Sequence, residues 1–344
     1  MPAAPFAFAA PSSGPAGVTP VRECSRAGLA SAIAAAADGG TVRFRADCTI
    51  KFGPRTRITL RRPITIDAGS KTVILDGNQV SQIFAVTGAP VTLRGLVFRS
   101  GNADGSFGGA IANLGRLVII GCVFSGNHAD GDGAVGGAID SDGLLDIMDS
   151  TFVGNHSDGG AGGAIAAYRG TMRVSNSTFV DNHADGGLAG AIWSIRGRVE
   201  LVNTTIARNR VGPGQGGGIY NADDGTIILR NTIVADNVAA SAPDVLGSIA
   251  SARHSLIGSL DGTRLRTSPT DRVIVGAFAG VKPLADNGGT TPTAAIDATS
   301  AAFGMGDAKV CAADPPTGAG GRDQRGVSRA NRCSIGAFEP SAGK

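Results

Sequence analysis

One pattern is written five times over residues 107–237, and few chain architectures tolerate that. The run appears as Gly108-Gly109-Ala110-Ile111, Gly136-Gly137-Ala138-Ile139, Gly162-Gly163-Ala164-Ile165, Ala189-Gly190-Ala191-Ile192 and Gly216-Gly217-Gly218-Ile219. The five isoleucines stand about 27 residues apart, a fixed period that marks stacked structural units. Each unit also carries a large apolar residue (Phe124, Phe152, Phe179, Ile206, Val234), and three residues later an asparagine (Asn127, Asn155, Asn182, Asn209, Asn237).

Between these markers lie short runs such as Leu117-Val118-Ile119-Ile120, Leu145-Asp146-Ile147-Met148 and Ile227-Ile228-Leu229. Their period-2 alternation reads as strands with one buried face. No unit holds an uninterrupted ten-residue helical pattern, which excludes helical repeats. One turn of a β-solenoid remains: about three strands and three bends fit the period at roughly 3.3 Å per residue. Equivalent residues then lie about 4.8 Å apart in columns. Phe124, Phe152 and Phe179 are expected to stack inside, and Asp149, Asn176, Asn203 and Asn231 to form a side-chain ladder at a bend.

With 53 glycines, 2 tyrosines and 1 tryptophan in 344 residues, the chain is built of bends and thin strands. A solenoid grows without enlarging its core, so one elongated domain is expected despite the length. The formal net charge of +3 with dispersed basic residues gives no reason for a nucleic-acid partner. No run of 18 apolar residues could span a membrane.

Residues 1–21, rich in Ala, Pro and Ser, read as a disordered arm or trimmed signal remnant, with a small-residue Ala7-Phe8-Ala9. Ser25 is placed to cap a helix through Asp38 that covers the first coil. Strands follow from residue 41, and the β-helix is expected over 22–282. Residues 283–344 read as an irregular C-terminal cap.

The Gly-Gly-Ala-Ile and Phe-x-x-Asn repeats resemble the polymorphic outer membrane protein repeat, a right-handed parallel β-helix of the pectin-lyase-like class. Residues 286–293 (Asp-Asn-Gly-Gly-Thr-Thr-Pro-Thr) and 323–339 (Asp-Gln-Arg-Gly … Ile-Gly-Ala-Phe-Glu) resemble bacterial proteins with the choice-of-anchor Q domain. The resemblance implies an all-β, right-handed parallel β-helix that is secreted or surface-bound. It supplies no catalytic residues.

Five cysteines fit that compartment. Cys24 and Cys48 flank the capping helix, and Cys311 and Cys333 flank a loop of the C-terminal region, so each pair is expected to be a disulfide, with Cys122 free.

Four constellations could carry chemistry. Asn-His-Ala-Asp-Gly or its Ser variant recurs at 127–131, 155–159 and 182–186, aligning His128, His156 and His183 with Asp130, Asp158 and Asp185. Imidazole plus carboxylate can ligate a divalent metal, whereas Asp-Gly alone makes a tight bend. Asp146, Arg173 and Glu200 form an alternating-charge column, read as a solvated salt ladder or as an active-site remnant with Arg173 as the basic group. Asp140 and Asp142, two residues apart on one strand face, are the nearest acid–base pair for glycoside hydrolysis. Finally, Tyr168, Trp193 and Tyr220 are all the Tyr and Trp of the chain, and they fall in successive units beside Arg169, Arg196 and Asp140. Trp193 and Tyr220 are expected to face outward, with Tyr168 at a bend, as parallel plates for sugar rings.

The reading is a monomeric, secreted or cell-surface β-helix that binds a polysaccharide or surface glycan without catalysis and without a cofactor. The alternative is a polysaccharide lyase or glycoside hydrolase of the same fold, for which a lyase would use calcium.

Overall fold

The computed structural model describes residues 17–340, except 104, 106, 223, 267, 269, 270, 316 and 330–332. One coil shows the plan. Ile139–Ser141 lies on the first side, Leu144–Met148 on the second and Thr151–Val153 on the third, and the two-residue strand His156–Ser157 leads into the return loop. Each pairs in parallel with its counterpart one coil on, through Ile139↔Ile165, Leu145↔Met172, Phe152↔Phe179 and His156↔His183. The third side alone is a ten-stranded sheet. The protein is a right-handed parallel β-helix.

The Gly-Gly signature now has a cause. The first glycine turns the chain with positive φ, 68° at Gly136 and 72° at Gly162, a region closed to most side chains. The second lets backbone meet backbone, since a Cβ on Gly137 would overlap the carbonyl oxygens of Gly163 and His156. At the bend between the second and third sides, Asp149, Asn176, Asn203 and Asn231 hold φ of 45–50°, which short polar side chains tolerate.

Inside, Phe98, Phe124, Phe152 and Phe179 stack with ring centroids 4.7, 4.7 and 4.6 Å apart, one coil more than the repeat pattern marked. The asparagine ladder, however, stands in a different column from the one expected. Asn127, Asn155, Asn182, Asn209 and Asn237 are buried, and along this column each Nδ2 donates to the next Oδ1 at 2.8–2.9 Å. The same Nδ2 groups donate to main-chain carbonyls, as Asn182 does to Phe152 O at 3.0 Å. The ladder ends when Asn237 donates to Asp244 Oδ1 at 2.9 Å. Asn176 and Asn231 turn outward instead: Asn176 Nδ2 donates to Arg322 O at 3.1 Å, and Asn231 Nδ2 to Asp307 O at 3.1 Å. Their left-handed backbone aims the side chain away from the stack.

At the N-terminal end, Val18–Val21 pairs in parallel with Gly40–Phe44, so the solenoid starts before residue 22 and the last residues of the expected arm are a strand. Residues 1–16, including Ala7-Phe8-Ala9, lie outside the described residues. The helix is Arg26–Ala35, shorter than expected; Ser25 Oγ accepts from Gly28 N at 3.0 Å, and Leu29 and Ala32 are buried. Cys24–Cys48 is a disulfide with a Cα separation of 5.6 Å, and Cys311–Cys333 one with 6.2 Å. Cys122 is buried and unpaired.

After the antiparallel pair Val281–Ala285 and Thr293–Ile296, the chain lies along the third side across several coils. Thr151 Oγ1 donates to Pro292 O at 2.6 Å, Thr291 Oγ1 to Asp149 O at 3.0 Å, and the Ala337 amide to Thr205 Oγ1 at 3.0 Å. Within this flank, Arg325 donates to Asp323 through Nε and Nη2 at 2.9 and 2.7 Å. Arg329 Nη1 meets Glu339 Oε2 at 3.1 Å, with both side chains nearly inaccessible. The Asp-Gln-Arg-Gly and Ala-Phe-Glu motifs thus lock the flank together. Buried charges of this kind need such full pairing to be tolerated.

Candidate functional site

The outward positions of the first side form one column: Ala112, Asp140, Ala166, Trp193, Tyr220 and Leu246, paired rung to rung. Alternation along each strand puts the isoleucines in and these residues out. Tyr168 is no bend residue. It ends the strand Ile165–Tyr168, pairs with Ile195, and shares the outward face of Ala166.

The aromatics are not parallel plates. Tyr168 meets Trp193 edge to face, with ring centroids 5.0 Å apart and an interplanar angle of 86°. This happens because Tyr168 is two residues along its strand from Ala166, the rung partner of Trp193, and so reaches Trp193 diagonally. Both rings pack on Val135, Ala161 and Ala166. Tyr220 instead lines a separate furrow of about 410 Å³ with Gln215, Asp224 and Arg264. Arg169 and Arg196 sit exposed in the following bend with φ of 50° and 55°.

Asp140 is only 8% exposed, whereas Asp142 is exposed in the bend, its amide donating to Asn113 O at 2.9 Å. The two do not share one open face as expected. Burial, and then the Asp142 carboxylate, push the Asp140 carboxyl up to about 7. Burial also raises the Tyr168 hydroxyl, helped by both carboxylates. Asp140 Oδ1 and Trp193 Nε1 are buried without a hydrogen-bond partner.

The column Asp146, Arg173, Glu200 has the expected register, but it is no solvated ladder. Asp146 is 1% exposed because Arg173 Nε donates to it at 2.8 Å from one neighbouring coil and Arg116 closes to 3.7 Å from the other. Glu200 turns to Arg198 and Arg230. The arginines absorb the carboxylate charge that a calcium site would need.

The histidines stack as expected, with ring centroids 4.8 and 4.9 Å apart. Their carboxylate partners include acids one coil on, which the sequence spacing did not show. His128 Nε2 meets Asp158 Oδ1 at 2.6 Å, His156 Nε2 meets Asp185 Oδ2 at 2.9 Å and Asp158 Oδ1 at 3.5 Å, and His183 Nε2 meets Asp185 Oδ1 at 2.9 Å. Asp130 leaves the group, accepting from Gly105 N at 2.8 Å and Asn102 Nδ2 at 3.3 Å.

A further groove of about 550 Å³, lined by Arg94, Asp149, Arg322, Arg325 and others, lies between the third side and the C-terminal flank. Sequence reading missed it, because its two walls come together only when the flank folds back. Among the described residues, no helix is long and apolar enough to cross a membrane.

Comparison with protein-family models gives no match, and comparison with curated proteins gives none. Among solved structures, the chain is similar to Jun a 1, the major allergen from cedar pollen, at 15% identity, with 76% of this chain and 80% of that chain covered and a TM-score of 0.40.

Proposed function

We propose that the protein is a secreted or cell-surface β-helix that binds a glycan along the outward face of the first side, between Asp140 and Tyr220, and acts as a binding protein. One observation carries this reading: the outward face presents the half-buried Tyr168–Trp193 pair, two rungs from the Asp140 carboxyl in the same column. Sugars match such a surface, offering C–H faces that pack on aromatic rings and hydroxyls that bond to polar groups at its border. Arg169 and Arg196 border the face and suit acidic sugar units. Two disulfides fit an oxidising compartment. The likeness of the repeats to polymorphic outer membrane protein repeats, and of residues 286–293 and 323–339 to the choice-of-anchor Q domain, is matched by no family model, so the surface location rests on the disulfides; a monomer is sufficient for this role.

A second reading, glycoside hydrolysis, is favoured by the Asp140 carboxyl at about 7, which suits a general acid working near neutral pH, with Asp142 as the neighbouring carboxyl. Under a lyase variant of that reading, calcium is a candidate cofactor.

One titration separates these readings. Trp193 is the only tryptophan in the sequence, so its emission reports on this face. A glycan panel should contain at least one polysaccharide that shifts the emission, with Trp193→Ala losing about 1–3 kcal/mol of affinity. New reducing or unsaturated ends from that polysaccharide would replace binding with catalysis. A ligand that binds with unchanged emission and equal affinity to Trp193→Ala would remove the face from the proposal.

A further inference from the structure

The histidine ladder lies on the short fourth strands, apart from the aromatic face, and the proposed function makes no use of it. Three imidazoles from three successive coils present Nε2 atoms in one line, and two carboxylates sit against that line. Two overlapping triads result, His128–His156–Asp158 and His156–His183–Asp185, each with its ligand atoms within 4.8 Å of one another. The side chains are 20–32% exposed for the histidines and 40–51% for the aspartates, so an ion in solution can reach them.

We propose that this ladder is a binding site for one divalent transition-metal ion of the zinc, copper or nickel class. The donor set selects the class: imidazole nitrogen with carboxylate oxygen suits those borderline ions, whereas calcium prefers oxygen alone. The scale of the site agrees. Ligand atoms about 2.0–2.2 Å from a tetrahedral ion lie about 3.4 Å from one another, and the contacts in each triad bracket that value. His156 Nε2 to Asp158 Oδ1 is 3.5 Å, while the His128–Asp158 and His156–Asp185 contacts of 2.6 and 2.9 Å widen slightly. The stacked rings close their separation by tilting, a motion open to partly exposed side chains on a fixed backbone.

Stoichiometry follows from atom counting. Each neutral imidazole offers one available lone pair, on a single ring nitrogen, and His156 Nε2 belongs to both triads, so full ligation of one triad dismantles the other. One ion binds per chain. A ligating imidazole is the neutral tautomer with its hydrogen on Nδ1, so binding at Nε2 selects that tautomer. At the far end, Arg210 takes the histidine position of the next coil and donates from Nη2 to His183 Nδ1 at 3.3 Å. That contact makes His183 Nδ1 an acceptor and leaves the ring hydrogen on Nε2, so His183 does not ligate through Nε2 while it holds, and His128–His156–Asp158 is the triad that takes the ion.

The test uses the full chain stripped of metal and titrated with zinc chloride by calorimetry, with cobalt substitution as a spectroscopic readout. The expected result is one equivalent bound and cobalt absorption characteristic of nitrogen–oxygen ligation. His156→Phe keeps a flat ring in the stack but has no lone pair. It should weaken zinc binding by more than about 100-fold, at least what loss of a supporting group costs. His128→Phe removes a ligand of the same triad and should weaken zinc binding comparably. Melting of the metal-free variants establishes that the coil persists; should His156→Phe fail to fold, Asp158→Asn combined with Asp185→Asn serves in its place. Several weak equivalents, or equal affinity in parent and His156→Phe, would overturn the proposal and leave the ladder a structural stack.

Discussion

Gln324 Nε2 donates to the hydroxyl of Thr151 at 2.8 Å across 173 residues of sequence. The same amide accepts from Thr178 Oγ1 at 2.6 Å and donates to Thr291 Oγ1 at 2.9 Å. Thr151 and Thr178 are rung partners, so one side chain ties two coils to the C-terminal flank. Gln324→Leu keeps the volume and leaves buried hydroxyls with fewer partners, and should cost about 2–4 kcal/mol. Thermal unfolding and limited proteolysis would show it, with cleavage appearing first within residues 283–340. A variant as stable and as resistant as the parent would mean that the flank is held by other contacts.

Asn182 sits mid-ladder, accepting from both Asn155 N and Asn155 Nδ2 through its Oδ1 at 3.0 and 2.8 Å. Asn182→Ala therefore strands polar groups on two coils in a buried interior. A loss of about 2–4 kcal/mol in urea unfolding is expected, against less than about 0.5 kcal/mol for an exposed surface change. Equal losses for the two would show that water replaces the amide.

The coil was legible in the sequence because a solenoid repeats its physics. Backbone approach at Gly137, left-handed bends at Asn176 and apolar inward positions at Phe152 each recur at the same phase, so the period exposes them. What did not repeat was not legible. The flank's docking depends on single residues such as Gln324, and the asparagine ladder stands in one of two polar columns that recur with the same period. Only the backbone conformation tells them apart: φ is 45° at Asn176, which faces the flank. The candidate site was legible as a set of residues but not in its geometry. Tyr168 reaches Trp193 diagonally, and His128 pairs with an acid one coil away, because neighbours across rungs are about 27 residues apart and invisible to local motif reading.

Phe152 lies between Phe124 and Phe179 with interplanar angles of 1° and 0° and no exposed surface. Phe152→Ala should cost about 3–5 kcal/mol through lost burial and a cavity that the rigid rungs above and below cannot close. Chemical denaturation measures this, and a cost under about 1 kcal/mol would mean that the column is not a packed core.

The thiol chemistry is equally specific. Burial pushes the Cys122 thiol up to about 12, so it is neither ionised nor reachable in the folded protein. Native protein should take up no alkylating reagent, and unfolded, unreduced protein should take up one equivalent at Cys122. Peptide mapping should then recover the Cys24–Cys48 and Cys311–Cys333 crosslinks. A second reactive thiol would contradict the pairing.

Asp140 gives stability a pH dependence of unusual sign. Its carboxyl rises from an ordinary 3.8 to about 7 in the fold, first through burial and then through Asp142. Between pH 4 and 7 the folded state therefore holds a proton that the unfolded chain has released, so stability falls as pH rises through that window and levels off above it. Asp149 and Asp244, raised to about 6 by burial, act in the same direction. His183, lowered by burial and by Arg210, opposes them. Asp140→Asn is neutral at every pH and isolates one contribution. It should match the parent near pH 4 and exceed it at pH 8 by about 2–4 kcal/mol, since each tenfold change in proton affinity between the folded and unfolded chain is worth about 1.4 kcal/mol. Urea denaturation at the two pH values measures the difference, and Trp193 emission, on the same outward face, should change in the parent near pH 7 but not in the variant. A stability gap that stays constant from pH 4 to pH 8 would show that Asp140 ionises normally, and with it would go the case for Asp140 as a general acid.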